Sequence, residues 1–248
     1  MKYKLYEVGG RVRDKFLGLK SKDIDYSVVI DNHKWWGEEP DVNVVFGLFA
    51  QQVKKEGYQV FVETPDCFTV RALFPKDHKH AGLVADFVLA RKEGGYIKGT
   101  RKPEVSLGTL RDDLERRDFT VNAMAEDEDG NIIDLFGGQK DLQNGILRTI
   151  GDTAESFNDD PLRILRAFRF AVTKGLNFSD DMVDTIRLFQ PDKMSVVSTE
   201  RIVSELETMF KFDTALTFSY LKWLDDINPA LFREILRDGM WFLPTMRS

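Results

Sequence analysis

Over the first 150 residues, short apolar runs alternate with turns that carry glycine and aspartate; beyond that point the apolar period lengthens. Tyr3–Val8 and Ile24–Ile30 (IDYSVVI) read as strands. Residues 11–17 between them read as a short helix that Gly18 ends. Residues 45–56 carry a helical pattern with Gly57 as its stop, and residues 58–62, 68–74 and 84–90 read as further strands. Residues 123–126 and 132–135 flank Asp129-Gly130, a dipeptide suited to a tight hairpin. Later in the chain Leu162, Leu165, Phe168 and Val172 recur at spacings of three and four, which predicts a helix over 161–174 closed by Gly175. Residues 180–189, 199–212 (with Thr199 as its N-cap) and 214–224 continue the helical theme, and 35–40 reads as a surface loop. The expected fold class is α+β: a mixed sheet with helices over 1–137, then an all-helical part over 138–248.

Composition narrows the class. With 248 residues and 42% hydrophobic content, the chain can bury a core without a disulfide or structural metal. No run of about 18 apolar residues occurs, and the start MKYKLYEVGG has no apolar leader, so neither a membrane partner nor secretion is expected. The single cysteine, Cys67, excludes an intramolecular disulfide and is read as a buried or neutral thiol. The expected location is the cytoplasm. A net charge of −6 argues against coating nucleic acid by bulk charge. It leaves room for a nucleic-acid enzyme with one local basic groove, whose metal-holding carboxylates would themselves lower the pI.

Three clusters carry candidate chemistry. The first is Gly9-Gly10-Arg11-Val12-Arg13-Asp14, followed by Asp23-Ile24-Asp25. Residues two apart on a strand face the same side, so Asp23 and Asp25 present two carboxylates to one spot. Such a pair is costly unless a cation sits between, and hard oxygens favour Mg2+, which keeps waters and substrate phosphates in its shell. Gly9 and Gly10, between strand and helix, let the backbone approach a phosphate, and Arg13 can reach the same group. A Gly-Gly turn or an Asp-x-Asp alone is common; the strand–GG–helix–strand order is what makes them specific. The second cluster, LERRDFTVNA over 114–123, reads by itself as a salt-bridged helix end. The third is DDPLRILRAFRF over 159–170. Pro161 at the first helical position makes Asp160 an N-cap. Arg163, Arg166 and Arg169, three apart, form a stripe that calls for carboxylates or phosphates opposite. His78 and His80, beside Lys76 and Lys79, read as a solvated loop rather than a metal site.

Taken together, the clusters resemble the class II tRNA nucleotidyltransferases, that is, the CCA-adding enzymes and the related bacterial poly(A) polymerases. That family's motifs are GGxVRD with DxD, RRDFT(I/V)NA and EDxxR, matched here at 9–14 with 23–25, at 116–123 and at 159–163. The hairpin and Gly-Gly over 129–138, Asp141-Leu142 and VSTERI over 197–202 also fit, so the likeness covers about 3–30 and 84–210. The resemblance implies a polymerase-β-like head followed by helical neck and body. It implies that Asp23 and Asp25 hold two Mg2+ ions, with Asp86 as the third carboxylate. Gly9, Gly10 and Arg13 would meet the triphosphate, with Arg117 near sugar or phosphates. Asp160 and Arg163 would select the base of CTP and ATP, held by Arg166 and Arg169, and the acceptor would be the tRNA 3′ end.

Residues 94–103, rich in glycine and cations, occupy the place of the family's flexible loop, which favours full CCA addition. Asp159 replaces the family's glutamate, residues 31–83 match poorly, and the length to Ser248 suggests a short form without most of the tail. Trp223 and Trp241 are expected to pack in that reduced body. Poly(A) polymerase or partial CC- or A-adding activity stays open, as does a catalytically silent RNA-binding protein on the same fold.

Overall fold

The structure, a computed structural model, describes residues 1–19, 21, 24–31, 41–96 and 103–237. The chain starts with strand β1 (Tyr3–Val8), helix α1 (Gly10–Phe16), strand β2 (Ile24–Ile30) and helix α2 (Val42–Lys55). Helix α2 starts three residues before its expected first residue because the Asp41 carboxylate accepts from the Asn43 N–H at 2.8 Å, capping the first turn. Strands β3 (Gln59–Thr64), β4 (Thr69–Leu73) and β5 (Val84–Leu89) follow, then β6 (Arg91–Tyr96), β7 (Pro103–Leu107) and helix α3 (Leu110–Glu115). Strands β8 (Met124–Glu126) and β9 (Ile132–Asp134) form the expected hairpin, with Gly130 at φ +84° in its turn.

Among the described residues, seven of these strands form one sheet in the order β3-β4-β5-β2-β1-β8-β9. Strand β2 pairs antiparallel with β1 and parallel with β5, which makes the sheet mixed. The alternation of β2 then divides its side chains. Ile24, Tyr26, Val28 and Ile30 join Phe87 and Leu89 of β5 and Val45, Phe46, Phe49 and Val53 of α2 in one buried cluster. Tyr26 stacks on Phe87 with centroids 5.3 Å apart. Each such buried side chain contributes about 1.5–3 kcal/mol. The odd positions, Asp25 and Ser27, are thereby turned to the opposite face of the sheet.

Strands β6 and β7 pair with each other in a small hairpin that sequence reading treated as part of a mobile loop. The central residues of that loop, 97–102, lie outside the described residues. Gly108, just past β7, is required by close approach: a Cβ there would lie 2.5 Å from the Arg91 carbonyl carbon. Cys67 is exposed rather than buried, closing a short 3-10 turn between β3 and β4.

The later elements are α4 (Gly138–Gln143), β10 (Ile146–Leu147), α5 (Thr153–Asp159), α6 (Leu162–Lys174), β11 (Asn177–Phe178) and α7 (Asp180–Leu188). Helices α8 (Thr199–Phe212), α9 (Thr214–Ile227) and α10 (Pro229–Ile235) complete the described chain. The part is not all-helical: β10 and β11 form a short parallel pair. Helix α6 buries Leu162, Leu165, Phe168 and Val172, and Gly175 at φ +67° closes it as expected. Helix α8 begins at Thr199, so Ser198 rather than Thr199 is the N-cap. Trp223 packs with Phe168 and Phe178, while Trp241 lies outside the described residues.

The chain divides into two compact units. The first comprises Met1–Arg117 and Val121–Gln139; the second comprises Asp118–Thr120 and the chain from Lys140 onward. No helix among the described residues is long and apolar enough to cross a membrane.

Candidate active site

In the first unit the candidate residues gather at the ends of β1, β2 and β5. Gly9 links β1 to α1 at φ +73°, a conformation that favours glycine. A Cβ at Gly9 would lie 3.0 Å from Arg117 Nη1 and 4.0 Å from Asp25 Oδ2. The Gly9 backbone, the Arg117 guanidinium and the Asp25 carboxylate therefore border one small space. Asp25 is in register with Asp86 on the parallel neighbour β5, so both face the same side, opposite the hydrophobic cluster. Asp23, the other half of the expected pair, lies outside the described residues.

Two arginines are fixed around this space. Arg13 is buried and donates from Nε to Asp14 Oδ1 at 2.8 Å and from Nη1 to Asn122 Oδ1 at 2.6 Å. Arg117 donates from Nη2 to Asp113 Oδ2 at 2.9 Å, and its buried Nε has no hydrogen-bond partner among the described residues. Gly10 sits beside Arg13, its would-be Cβ 3.4 Å from Arg13 Nη2. Asp113 is fully buried and also accepts from Arg116 Nη2 at 2.6 Å. Burial alone would raise its pKa; the charges of Arg117 and Arg116 outweigh that and hold it below the ordinary carboxylate range.

In the second unit Asp160 sits between α5 and α6. Its Oδ1 accepts from the Leu162 N–H at 3.2 Å, the capping bond expected of it, and its Oδ2 accepts from Arg201 at 3.1 Å. Arg163 donates from Nη1 to Ser156 Oγ at 2.7 Å. Arg166 donates from Nε and Nη2 to Asp118 Oδ2 at 2.9 and 2.6 Å. Arg169 bonds Glu205 of α8. The arginine stripe thus meets carboxylates at Arg166 and Arg169.

The structure brings Gly9, Gly10, Arg13, Asp25, Asp86 and Arg117 together in one unit, and Asp160, Arg163, Arg166 and Arg169 along one helix of the other. Asp113 and Glu205 lie outside every motif singled out in the sequence, and Asp118, Asn122 and Arg201 lie inside such motifs but were given no role there. Asp113 was detectable, since Arg116 and Arg117 follow it at the spacings where helical charges meet. Asn122 and Glu205 act on residues 109 and 36 positions away, which no local pattern reveals.

A mixed sheet with in-register carboxylates on one face, a glycine turn and flanking arginines defines a nucleotidyltransferase-type head. Residues 5–148 match the poly A polymerase head domain, and the chain belongs to that family. The multifunctional CCA protein of Neisseria gonorrhoeae is 35% identical over 237 residues, covering 94% of this chain and 47% of that protein. The Bacillus stearothermophilus CCA-adding enzyme in complex with CTP superposes with TM-score 0.71 at 25% identity, over 92% of this chain and 53% of the other. A tRNA nucleotidyltransferase complexed with a primer tRNA and an incoming ATP analog gives TM-score 0.66 at 27% identity, over 97% of this chain and 61% of the other. The chain spans about half the length of the curated relatives it matches. Its fold is the polymerase-β-like head followed by a helical part, as the sequence led one to expect.

Proposed function

We propose that this chain transfers CMP and AMP from CTP and ATP to the 3′ end of tRNA in the cytoplasm, with no nucleic-acid template, releasing pyrophosphate. The first unit would be the nucleotidyltransferase head and the second a helical neck and body. The observation that carries this reading is the register of Asp25 with Asp86 beside the space bordered by Gly9 and Arg117. The names of the similar proteins, which include CTP, a primer tRNA and an ATP analog, support the substrate class.

The residues divide the work by their chemistry. The Gly9-Gly10 backbone would let the triphosphate come close, and the Arg117 guanidinium, whose Nη1 borders Gly9, would donate to it. Arg13, tied to Asp14 and Asn122, would hold the wall of that cradle and keep positive charge beside it. Asp25 and Asp86 would present hard oxygens to a divalent cation, with Asp23 as the further ligand expected from the sequence. Two facing carboxylates suit Mg2+, which takes one or two such groups plus substrate phosphates. When bound, Mg2+ supplies Lewis-acid stabilisation of phosphate charge and a more acidic attacking hydroxyl. Asp160 and Arg163 would read the base: cytosine and adenine each offer an amino donor and a ring acceptor, which suit a carboxylate and a guanidinium. Uracil and guanine put a carbonyl oxygen against the carboxylate and would be rejected. Arg166 and Arg169, anchored on Asp118 and Glu205, would keep that helix face in place.

End-labelling tests the reading. Transcripts of tRNA stopping before CCA, after C and after CC are given Mg2+ with each nucleotide alone and mixed. Addition of CCA followed by arrest is the expected result. Runaway adenosine addition would instead mark a poly(A) polymerase, and no incorporation on any primer would overturn the activity. In the same assay, Asp160→Ala with Arg163→Ala is expected to reduce preference for CTP and ATP over UTP by about 100-fold, with incorporation itself persisting. Unchanged selection would remove these residues from base reading. Gly9→Ala places a Cβ against Arg117 in a left-handed backbone. It is expected to raise the nucleotide KM about tenfold, read by steady-state kinetics on a primer that accepts one CMP.

A further inference from the structure

The face of the sheet that carries Asp25 and Asp86 continues past them. On the far side of β5, Arg71 of β4 is in register with Asp86, and Val62 of β3 is in register with Arg71. In-register side chains share a face, so Asp25, Asp86, Arg71 and Val62 form one row from the centre of the sheet to its edge. Gly9 and Arg117 lie at the opposite end of that row, next to Asp25.

This order has a directional meaning for phosphoryl transfer. The attacking and leaving oxygens lie roughly in line through the phosphorus. With the triphosphate cradled at the Gly9 and Arg117 end, a reaction axis along this row brings the attacking hydroxyl in from the Asp86 and Arg71 end. What waits there suits the end of an RNA strand. Arg71 touches Asp86 Oδ2 only with Nη1 at 3.4 Å, and its side chain is 52% exposed, so most of its donors face outward. Val62 and Phe61 are each about half exposed, on an edge strand whose register shifts between Val60 and Val62. Sheet edges ordinarily carry charge to stay unpaired; bare Val and Phe beside an arginine suit an unpaired base stacking while its phosphate meets the guanidinium. Glu63, the carboxylate on the same strand, is neutralised by Lys54 at 2.6 Å.

We propose that Arg71 anchors the 3′-terminal phosphodiester of the RNA acceptor, on a landing surface that it forms with Phe61 and Val62 at the edge of the sheet. The assignment rests on reading the site as a nucleotidyltransferase, and names a specificity for the acceptor rather than for the nucleotide.

The test uses the whole 248-residue chain and a fluorescein-labelled tRNA acceptor minihelix that stops before CCA. One version carries a neutral methylphosphonate in place of the last phosphodiester. Binding is read by anisotropy without nucleotide. Arg71→Ala is expected to weaken binding of the ordinary minihelix about tenfold and to lose nothing further with the methylphosphonate. The slope of log affinity against log salt should fall by about 0.7, one single-strand phosphate contact, and Arg71→Lys should restore it. Phe61→Ala should raise the acceptor KM and leave the nucleotide KM unchanged. Additive losses from Arg71→Ala and the methylphosphonate, or undiminished binding by Arg71→Ala, would overturn the assignment. A drop in kcat with unaltered acceptor binding would do the same, leaving Arg71 as a prop for Asp86. If the unaltered chain transfers no nucleotide to any primer, the reading of the site itself falls; if it transfers normally while Arg71→Ala binds RNA as before, only the landing surface falls.

Discussion

Asp25→Asn is expected to cut CMP incorporation by at least about 1000-fold while leaving the melting temperature level or slightly raised. The two halves of this result have separate causes. Asp25 sits beside the would-be Cβ of Gly9 and in register with Asp86, where an uncharged amide holds a divalent cation far more weakly than a carboxylate and so forfeits the charge stabilisation that the cation would supply. It is outside the buried cluster behind the sheet, so the core loses nothing. Removing one of two like charges on the same face also relieves repulsion. Single-turnover incorporation and thermal unfolding, measured on the same preparation, check both halves. Full turnover would remove Asp25 from the chemistry; a collapse in melting temperature would make its role structural.

Asp113→Ala is expected to give the opposite profile. Asp113 is fully buried between Arg116 and Arg117, and truncating it leaves two cations facing an emptied site. Breaking such a pair costs about 3–5 kcal/mol, a fall of roughly 10 °C for a chain of this size. Arg117 would also lose the bond that aims it at Gly9, so the nucleotide KM should rise in whatever fraction stays folded. The depressed pKa of Asp113 sets the pH dependence. Its stabilisation is fully present above the ordinary aspartate value and is lost as pH falls through the lower, folded-state value. The gap in melting temperature between the parent chain and Asp113→Ala should therefore be widest near neutrality and close below about pH 4. A gap that persists unchanged at pH 3 would show that packing, not charge, is what Asp113 supplies.

Strands Tyr3–Val8 and Ile24–Ile30 were legible from sequence because each must bury one side against the same core. Helix boundaries were legible where a cap was obvious, as at Gly175, and not where the cap lay outside the apolar pattern, as at Asp41. The β6–β7 hairpin was hidden because Gly94 and Gly95 with flanking cations look like a loop, whereas cross-strand pairing is a long-range fact. The salt-bridged helix end expected at the start of 114–123 is there, with Arg116 and Arg117 on Asp113, but its beginning was not legible although Thr109 and Asp112 form a capping box. The site followed the same rule. Residues that would touch substrate stood out by type and spacing. Those that position them, such as Glu205 holding Arg169, did not.

The residues Asp118–Thr120 belong to the second compact unit although the chain on both sides of them belongs to the first. Phe119 is fully buried edge-on to Phe170, the Thr120 N–H donates to the Arg148 carbonyl at 2.9 Å, and Thr120 Oγ1 bonds Asp141. On the ribosome this tripeptide is made before any of those partners exists. Until they emerge, a large aromatic side chain has no pocket. The same threading limits recombination: a crossover placed between the units would swap the helices and leave Asp118–Thr120 behind. Evolution can exchange this head and its helical part only as one inherited piece, or by changing three residues that lie inside the other's sequence.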